Sequence, residues 1–402
     1  MKPDTAELWH KARLRPRHLW RYRLWRPSHA RAALKAQPYD AASATDERHL
    51  TAAAEWLARA QDASGDGGVV GRYRFDRGWT SSYSETTGYI VPTFLALATH
   101  LDSAFHARAG RCIAFLLGTQ LASGAFPGGE IADNTTTPSP FNTAQIVNGL
   151  LAWHAATGDV DCLAAARRAG DWLLDVQDAD GAWRQWFHRG TAACYSTHLS
   201  CWLAELGVAT AEPRYGAAAA RHLDWVLGHR DTATGWFDHT GFSAAEQTLR
   251  IADLHTIAYT LAGLSRSGRL LGRDDALDAV RSAAKAVAAT LTDLGWLPGV
   301  LDWQWRARAD SACLTGNAQM ALVWMGLARH DADSAWLAPA HRAIELVKRA
   351  QLLDCADPDL RGAIPGSAPI WGWYNDGTLP NWAAKFFIDA LLEKAALARP
   401  QT

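Results

Sequence analysis

The feature that most constrains this chain is a repeat. A polar-to-apolar helix start recurs six times: "SETTGYIVPTFLALATHLD" (84–102), "FNTAQIVNGLLAWHAATGD" (141–159), "YSTHLSCWLAELGVAT" (195–210), "LHTIAYTLAGLSRSG" (254–268), "LTGNAQMALVWMGLARHD" (314–331) and "LPNWAAKFFIDALLEKAA" (379–396). Before each comes an Ala-rich segment with its charges on one face, such as "RHLTAAAEWLARAQ" or "AAAARHLDWVLGHR". A helix apolar nearly all round must be buried on most sides, whereas one with a single apolar stripe lies at a surface. Six of each kind in alternation predict an inner ring of six helices inside an outer ring of six. The expected fold class is all-α, an (α/α)6 toroid of six helical hairpins over residues 46–402, preceded by an N-terminal arm at 1–45.

The connections are unequal. Inner-to-outer turns are short, as in "ATGDVD", while outer-to-inner connections run roughly over 62–83, 121–140, 178–194, 231–253, 293–313 and 352–378. Long connections in a compact domain tend to carry function. All six lead into inner-helix N-termini, so they gather at one end of the ring, and the site is expected there. Three outer helices close on a shared phrase, "QDASGDG" (61–67), "QLASGAF" (120–126) and "QDADGAW" (177–183). Gly permits the left-handed turn that ends a helix, and Gln can bond the free backbone groups. The phrase resembles the QW repeat of terpenoid cyclases, which share the helical-ring architecture. The acidic DxDD motif with which class II cyclases protonate their substrate is absent.

Composition narrows the partners. Forty basic side chains against 41 acidic ones leave a net charge of −1 and give no reason to expect nucleic acid. The 20 Trp are far above ordinary usage and many sit in polar, Gly-containing segments, which suits sugar rings or terpenoid chains. The six Cys form no CxxC pair, the N-terminus lacks a signal-type apolar core and no run approaches membrane-spanning length, so the expectation is a reduced, cytoplasmic protein. Cys194, His198 and Cys201 share a helix face but are too few for a structural zinc site, so neither metal nor cofactor is expected. Residues 1–35 stand apart: they carry ten Lys or Arg against Asp4 and Glu7, with Trp9, Trp20, Tyr22 and Trp25 interleaved. Such an arm suits an anionic membrane surface or an acidic protein, and is expected to lie outside the packed ring, giving a location peripheral to the membrane.

At the first inner helix an acid and two phenols stand together: Tyr83, Ser84, Glu85 and Tyr89. Ser84 reads as the N-cap, Glu85 suits the positive helix end, and Pro92 should kink the helix. "SETTGY" also resembles the Ser-Glu-x-x-Gly-Tyr segment of family-8 glycoside hydrolases, which use the same toroid. That resemblance implies a general-acid role for Glu85. The family's second-hairpin Asp is unmatched, since "PFNTAQIVNGLL" offers Asn142 and Gln145 instead. Asp253, in the fourth hairpin, is the candidate second carboxylate, with Asp302 and Asp310 as alternatives. The toroid with "GWTSSY" (78–83) is likewise similar to the C-terminal region of glucuronyl C5-epimerases, which implies a Tyr or His base such as Tyr83 or His255.

The other helix starts supply hydrogen-bonding and aromatic groups suited to a hydroxyl-rich ligand. The candidates are Tyr89, Asn142, Gln145, His188, Tyr195, His198, Arg250, Asp302, Trp303, Trp305, Asp310, Asn317, Trp373, Tyr374, Asn381 and Trp382. Three readings stay open. The first is a glycoside hydrolase acting on an oligo- or polysaccharide, such as a bacterial cell-surface polysaccharide or its precursor, in exopolysaccharide biosynthesis. The second is a uronate C5-epimerase or polysaccharide lyase. The third is a terpenoid-cyclase relative or a non-catalytic glycan-binding protein.

Overall fold

The structure is a computed structural model and describes residues 16–35, 44–133, 135–293 and 295–399. Two short helices come first, α1 (Pro16–Arg21) and α2 (Pro27–Lys35). The outer ring is α3 (Asp46–Asp62), α5 (Ala104–Thr119), α7 (Val160–Asp175), α9 (Pro213–Gly228), α12 (Asp274–Ala288) and α14 (Leu337–Ala350). The inner ring is α4 (Ser84–His100), α6 (Pro140–Thr157), α8 (Thr197–Thr210), α11 (Leu254–Leu271), α13 (Leu314–Asp331) and α15 (Asn381–Ala398). One more short helix, α10 (Ala244–Leu249), lies in a connection. The toroid predicted by the repeat is the fold, with inner helices starting within about two residues of their expected positions.

The ring holds together by small residues inside and by staples outside. Gly149 of α6 abuts the Gly88 carbonyl of α4: a Cβ there would lie 2.3 Å from that oxygen. Pro92 has no N–H to give that carbonyl, so proline and glycine together bring two inner helices close. Each shared Gln phrase ties its own turn to the next outer helix. Gln120 donates to Gly124 and Ala165 (2.8 and 2.9 Å), and Gln177 donates to Gly181 and Ala218 (3.0 Å each). Gln61 donates likewise to Gly67 and Arg108, and Gln351 to Gly362 and His49.

The Gln351 staple crosses the seam where the last hairpin meets the first. There β1 (Arg72–Arg74) pairs antiparallel with β7 (Thr378–Pro380), Tyr73 opposite Leu379. Asn381 donates to the Val70 carbonyl (2.9 Å) and to Thr86 (2.8 Å). The other strands, β2 (Gly78–Trp79), β3 (Ile251–Asp253), β4 (Val300–Asp302), β5 (Ala312–Cys313) and β6 (Ser367–Ala368), are equally short. They pair within the outer-to-inner connections, β3 with β4 and β5 with β6, and so stiffen the loop end of the ring.

Two expectations are corrected here. Ser84 is not the N-cap of α4: Tyr83 takes that position without a side-chain cap, and Ser84 is buried with its hydroxyl unpartnered among the described residues. The arm does not lie outside the packed ring where it is described. Tyr22, Leu24, Ala32 and Ala33 are buried in the common core, because the Tyr22 hydroxyl reaches Asp376 and Arg21 pairs with the same carboxylate at 2.9 Å. Buried His29 packs edge-on against Phe75 at 4.9 Å. The rest of the arm, 1–15 and 36–43, lies outside the described residues.

Candidate active site

Glu85 occupies the first turn of α4 at the loop end and is buried, 8% exposed. Its Oε2 accepts from the Tyr83 hydroxyl at 2.7 Å. With the Asn142 amide oriented to satisfy both its ends, that amide nitrogen donates to the same Oε2 at 2.8 Å, and its oxygen accepts from the Gly129 N–H at 2.9 Å. Oε1 takes no hydrogen bond from the described residues and is left for the cavity. Burial raises the Glu85 carboxyl to about 7, against the Tyr83 hydrogen bond and the nearby Arg72 charge, which both favour the ionised form.

That cavity holds about 750 Å³ and is walled by five of the six hairpins. Tyr83, Glu85, Tyr89, Asn142, His188, Tyr195, His255, Tyr374 and Trp382 all line it, so the structure brings these predicted residues together. The Trp382 indole donates to the Tyr374 hydroxyl at 2.9 Å. Arg72 stacks over Trp382 at 5.0 Å, pairs with Glu130 at 3.0 Å and donates to Asn375 at 3.0 Å. His255 is buried among Tyr259 (4.3 Å), Tyr374 (5.2 Å) and Phe242 (6.1 Å). Its Nδ1 lies 2.8 Å from Gln319 Oε1, which fixes the Nδ1–H tautomer and leaves the lone pair on Nε2. Burial lowers this imidazole to about 4, so it is neutral at pH 7.

The remaining predicted residues do not line this cavity, and most of them are satisfied elsewhere. Asp253 is buried at the entrance to α11, its Oδ1 meeting no donor among the described residues; burial, with Glu246 nearby, raises it to about 7. Asp302 closes a local turn: against the cost of burial, bonds from the Arg306 and Gln304 groups hold its carboxyl below the usual range. Arg250 pairs with Asp231 and Asp238 and stacks on Trp303 at 4.6 Å, outside the ring's mouth. Trp305 donates to the Thr234 carbonyl and packs on Trp236. Asn317 and Asn381 anchor incoming loops, Asn317 through Leu297 N–H and the Cys313 carbonyl. Gln145 bonds His198 at 2.9 Å and Trp202 at 3.2 Å, which turns both away from the mouth. Trp373 is 59% exposed, and Asp310 stands apart from the cavity as well.

Apart from Glu246, a polar residue already offered by the fourth hairpin's connection, several lining residues lack a counterpart in the expected set. Tyr259 follows His255 by four positions and so shares its helix face, a signal present in "HTIAY". Glu246 faces the cavity from α10, where its Oε2 accepts from the Ser243 N–H in a capping box. Arg72 arrives through β1. Trp186 and Arg189 reach the rim from backbone at φ 63° and 57°, a left-handed conformation uncommon for such residues and not readable from local sequence.

No family model matches the chain, and no curated protein matches it in sequence. Solved structures do match. Cellobiose 2-epimerase from Bacillus thermoamylovorans aligns over 87% of this chain and 98% of its own, at 14% identity and a TM-score of 0.70. An unsaturated glucuronyl hydrolase from Bacillus sp. GL1, responsible for the degradation of glycosaminoglycan, aligns over 88% and 97% at 15% identity and a TM-score of 0.71. A glycosyl hydrolase of family 88 from Bacteroides vulgatus aligns over 88% and 99% at 11% identity and 0.63. The likeness is one of fold, and it extends around the whole ring.

Proposed function

We propose that the protein is a glycan-active enzyme, a glycoside hydrolase in which Glu85 is the general acid. The observation that carries this reading is the Glu85 carboxyl: one oxygen is held by Tyr83 and Asn142, the other is free for a cavity walled by Tyr, Trp and His. A carboxyl raised to about 7 keeps its proton near neutrality and can deliver it from Oε1 to a glycosidic oxygen. The indole and phenol faces suit sugar rings, and the activities of the fold relatives, on cellobiose and on glycosaminoglycan, support a saccharide as the substrate class. Hydrolysis also needs a second carboxylate for water or for covalent attack. Glu246 takes that place in this reading, because Asp253 and Asp302 do not face the cavity. Glu85→Gln keeps the shape and the two donor contacts, so it should still fold and bind glycan while losing roughly 10²–10⁴-fold in turnover. Undiminished turnover would overturn the assignment.

A second reading, epimerisation or elimination, rests on His255, whose neutral ring carries its free lone pair on Nε2. Deuterium uptake from solvent without chain scission, lost in His255→Ala and retained in Glu85→Gln, would favour it over hydrolysis. The substrate in either case is proposed to be a surface polysaccharide or its lipid-linked precursor. Exposed Trp20 and Trp25, 5.2 Å apart beside Arg21, Arg23 and Arg26, suit an anionic membrane surface. Trp20→Ala with Trp25→Ala should abolish sedimentation with phosphatidylglycerol vesicles, and sedimentation that persists would refute the contact.

A further inference from the structure

The ring has a second hollow, at the end opposite the loops. It holds about 530 Å³, inside the range of about 300–1,000 Å³ usual for small-ligand sites. Tyr259 lines both hollows and forms part of the partition between them.

The polar side chains of this lower cavity are under-used. Asn148, Ser265 and Gln319 are 9%, 7% and 3% exposed, so each is at least nine-tenths buried. Asn148 and Ser265 make no side-chain hydrogen bond among the described residues. Gln319 commits Oε1 to His255, while its Nε2 has no partner among the described residues. Charge is unbalanced in the same place. Lys385 is paired with Asp389 at 2.6 Å and Arg266 with Glu205 at 3.0 Å, but Arg269 has no ion pair or hydrogen bond among the described residues. Buried polar groups are normally satisfied, since leaving them unpaired costs on the order of 1–3 kcal/mol each. Several donors and one spare guanidinium around a single cavity fit a ligand that brings oxygen acceptors and negative charge.

We propose that the lower cavity is a second binding site, for an oxygen-rich organic anion of about monosaccharide size: a polyol bearing a carboxylate or a phosphate. It goes beyond the hydrolase reading, because it needs no turnover.

The test is calorimetric titration of the full chain with glucose 6-phosphate, glucuronate and glucose at 0.15 M salt. The two anions should bind, glucose at least tenfold more weakly, and the tighter anion identifies the head group. Arg269→Gln, at an exposed position, and Ser265→Ala should each weaken anion binding, the former at least tenfold, while Trp186→Ala with His188→Ala, on the wall of the upper cavity, leaves it unchanged. Absence of binding at millimolar anion, or equal affinity in wild type and Arg269→Gln, overturns the proposal. Binding weakened in the Trp186→Ala, His188→Ala variant also overturns it, because the ligand then sits in the upper cavity. Heat of binding is read without catalysis, so this result stands apart from whether Glu85 is the acid.

Discussion

Glu85 should make the folded protein less stable, and by an amount that depends on pH. Burial moves its carboxyl from 4.5 to about 7. Between those values the folded protein retains a proton that the unfolded chain has released, so stability falls as pH rises through the window. A gap of roughly 2.5 units at 1.36 kcal/mol per unit comes to about 3 kcal/mol, in full above pH 7 and absent below about pH 4.5. Glu85→Gln removes the titration and keeps the Tyr83 and Asn142 donors supplied with an acceptor. Asp253, also raised to about 7, is present in both proteins and cancels in the difference. Melting temperatures of the two proteins, measured from pH 4 to 8.5, should coincide at the acid end and separate with pH. The variant should melt higher by a few degrees above pH 7. A constant difference across the range, or a wild type that gains on the variant as pH rises, refutes the buried-acid argument.

Tyr83→Phe removes a donor that favours the ionised Glu85, so the alkaline limb of the pH–rate profile should move up by roughly one unit, with little change at pH 6. Abolished turnover would instead make Tyr83 the base. Gly149→Ala places a methyl 2.3 Å from the Gly88 carbonyl and should cost about 1–3 kcal/mol, read as a lower melting temperature; an unchanged one would show that α4 and α6 can separate freely. Deleting residues 1–35 should lower the melting temperature by several degrees, because Tyr22, Leu24 and His29 leave buried positions and Asp376 loses both its partners. A shift within a degree would restore the free-arm reading.

The ring was legible because burial on all sides leaves a mark on every residue of a helix, as α6 and α13 display. Glu85, Tyr83 and Asn142 were legible for the same reason, since the first turns of inner helices must point into the ring's mouth. The connections were not. Arg250, Trp303, Asp302 and Trp305 look like site residues in sequence, yet they satisfy one another locally and with Asp231, Asp238 and Thr234. Nothing in a run such as "LDWQWRARADS" says whether its charges pair inward or face a ligand. Trp186 and Arg189 were hidden for a different reason, because a left-handed φ in a non-glycine residue is set by the surrounding packing. His198 lines the lower cavity instead, and Gln145, bonded to it, lines neither.

The seam has a consequence for how the molecule comes into being. Its contacts join residues about 300 positions apart, such as Tyr73 with Leu379 and His49 with Gln351, and closing so long a chain segment is slow relative to forming each hairpin. During synthesis Glu85, Tyr83 and Asn142 leave the ribosome early, but Tyr374 and Trp382, the facing wall, come only with the sixth hairpin. An unfinished chain therefore carries the acid without the chamber that shields it from water, and without that shielding its carboxyl returns toward an ordinary, ionised state. On the proposed reading, the nascent protein cannot act on a glycan until the last helix docks on the first.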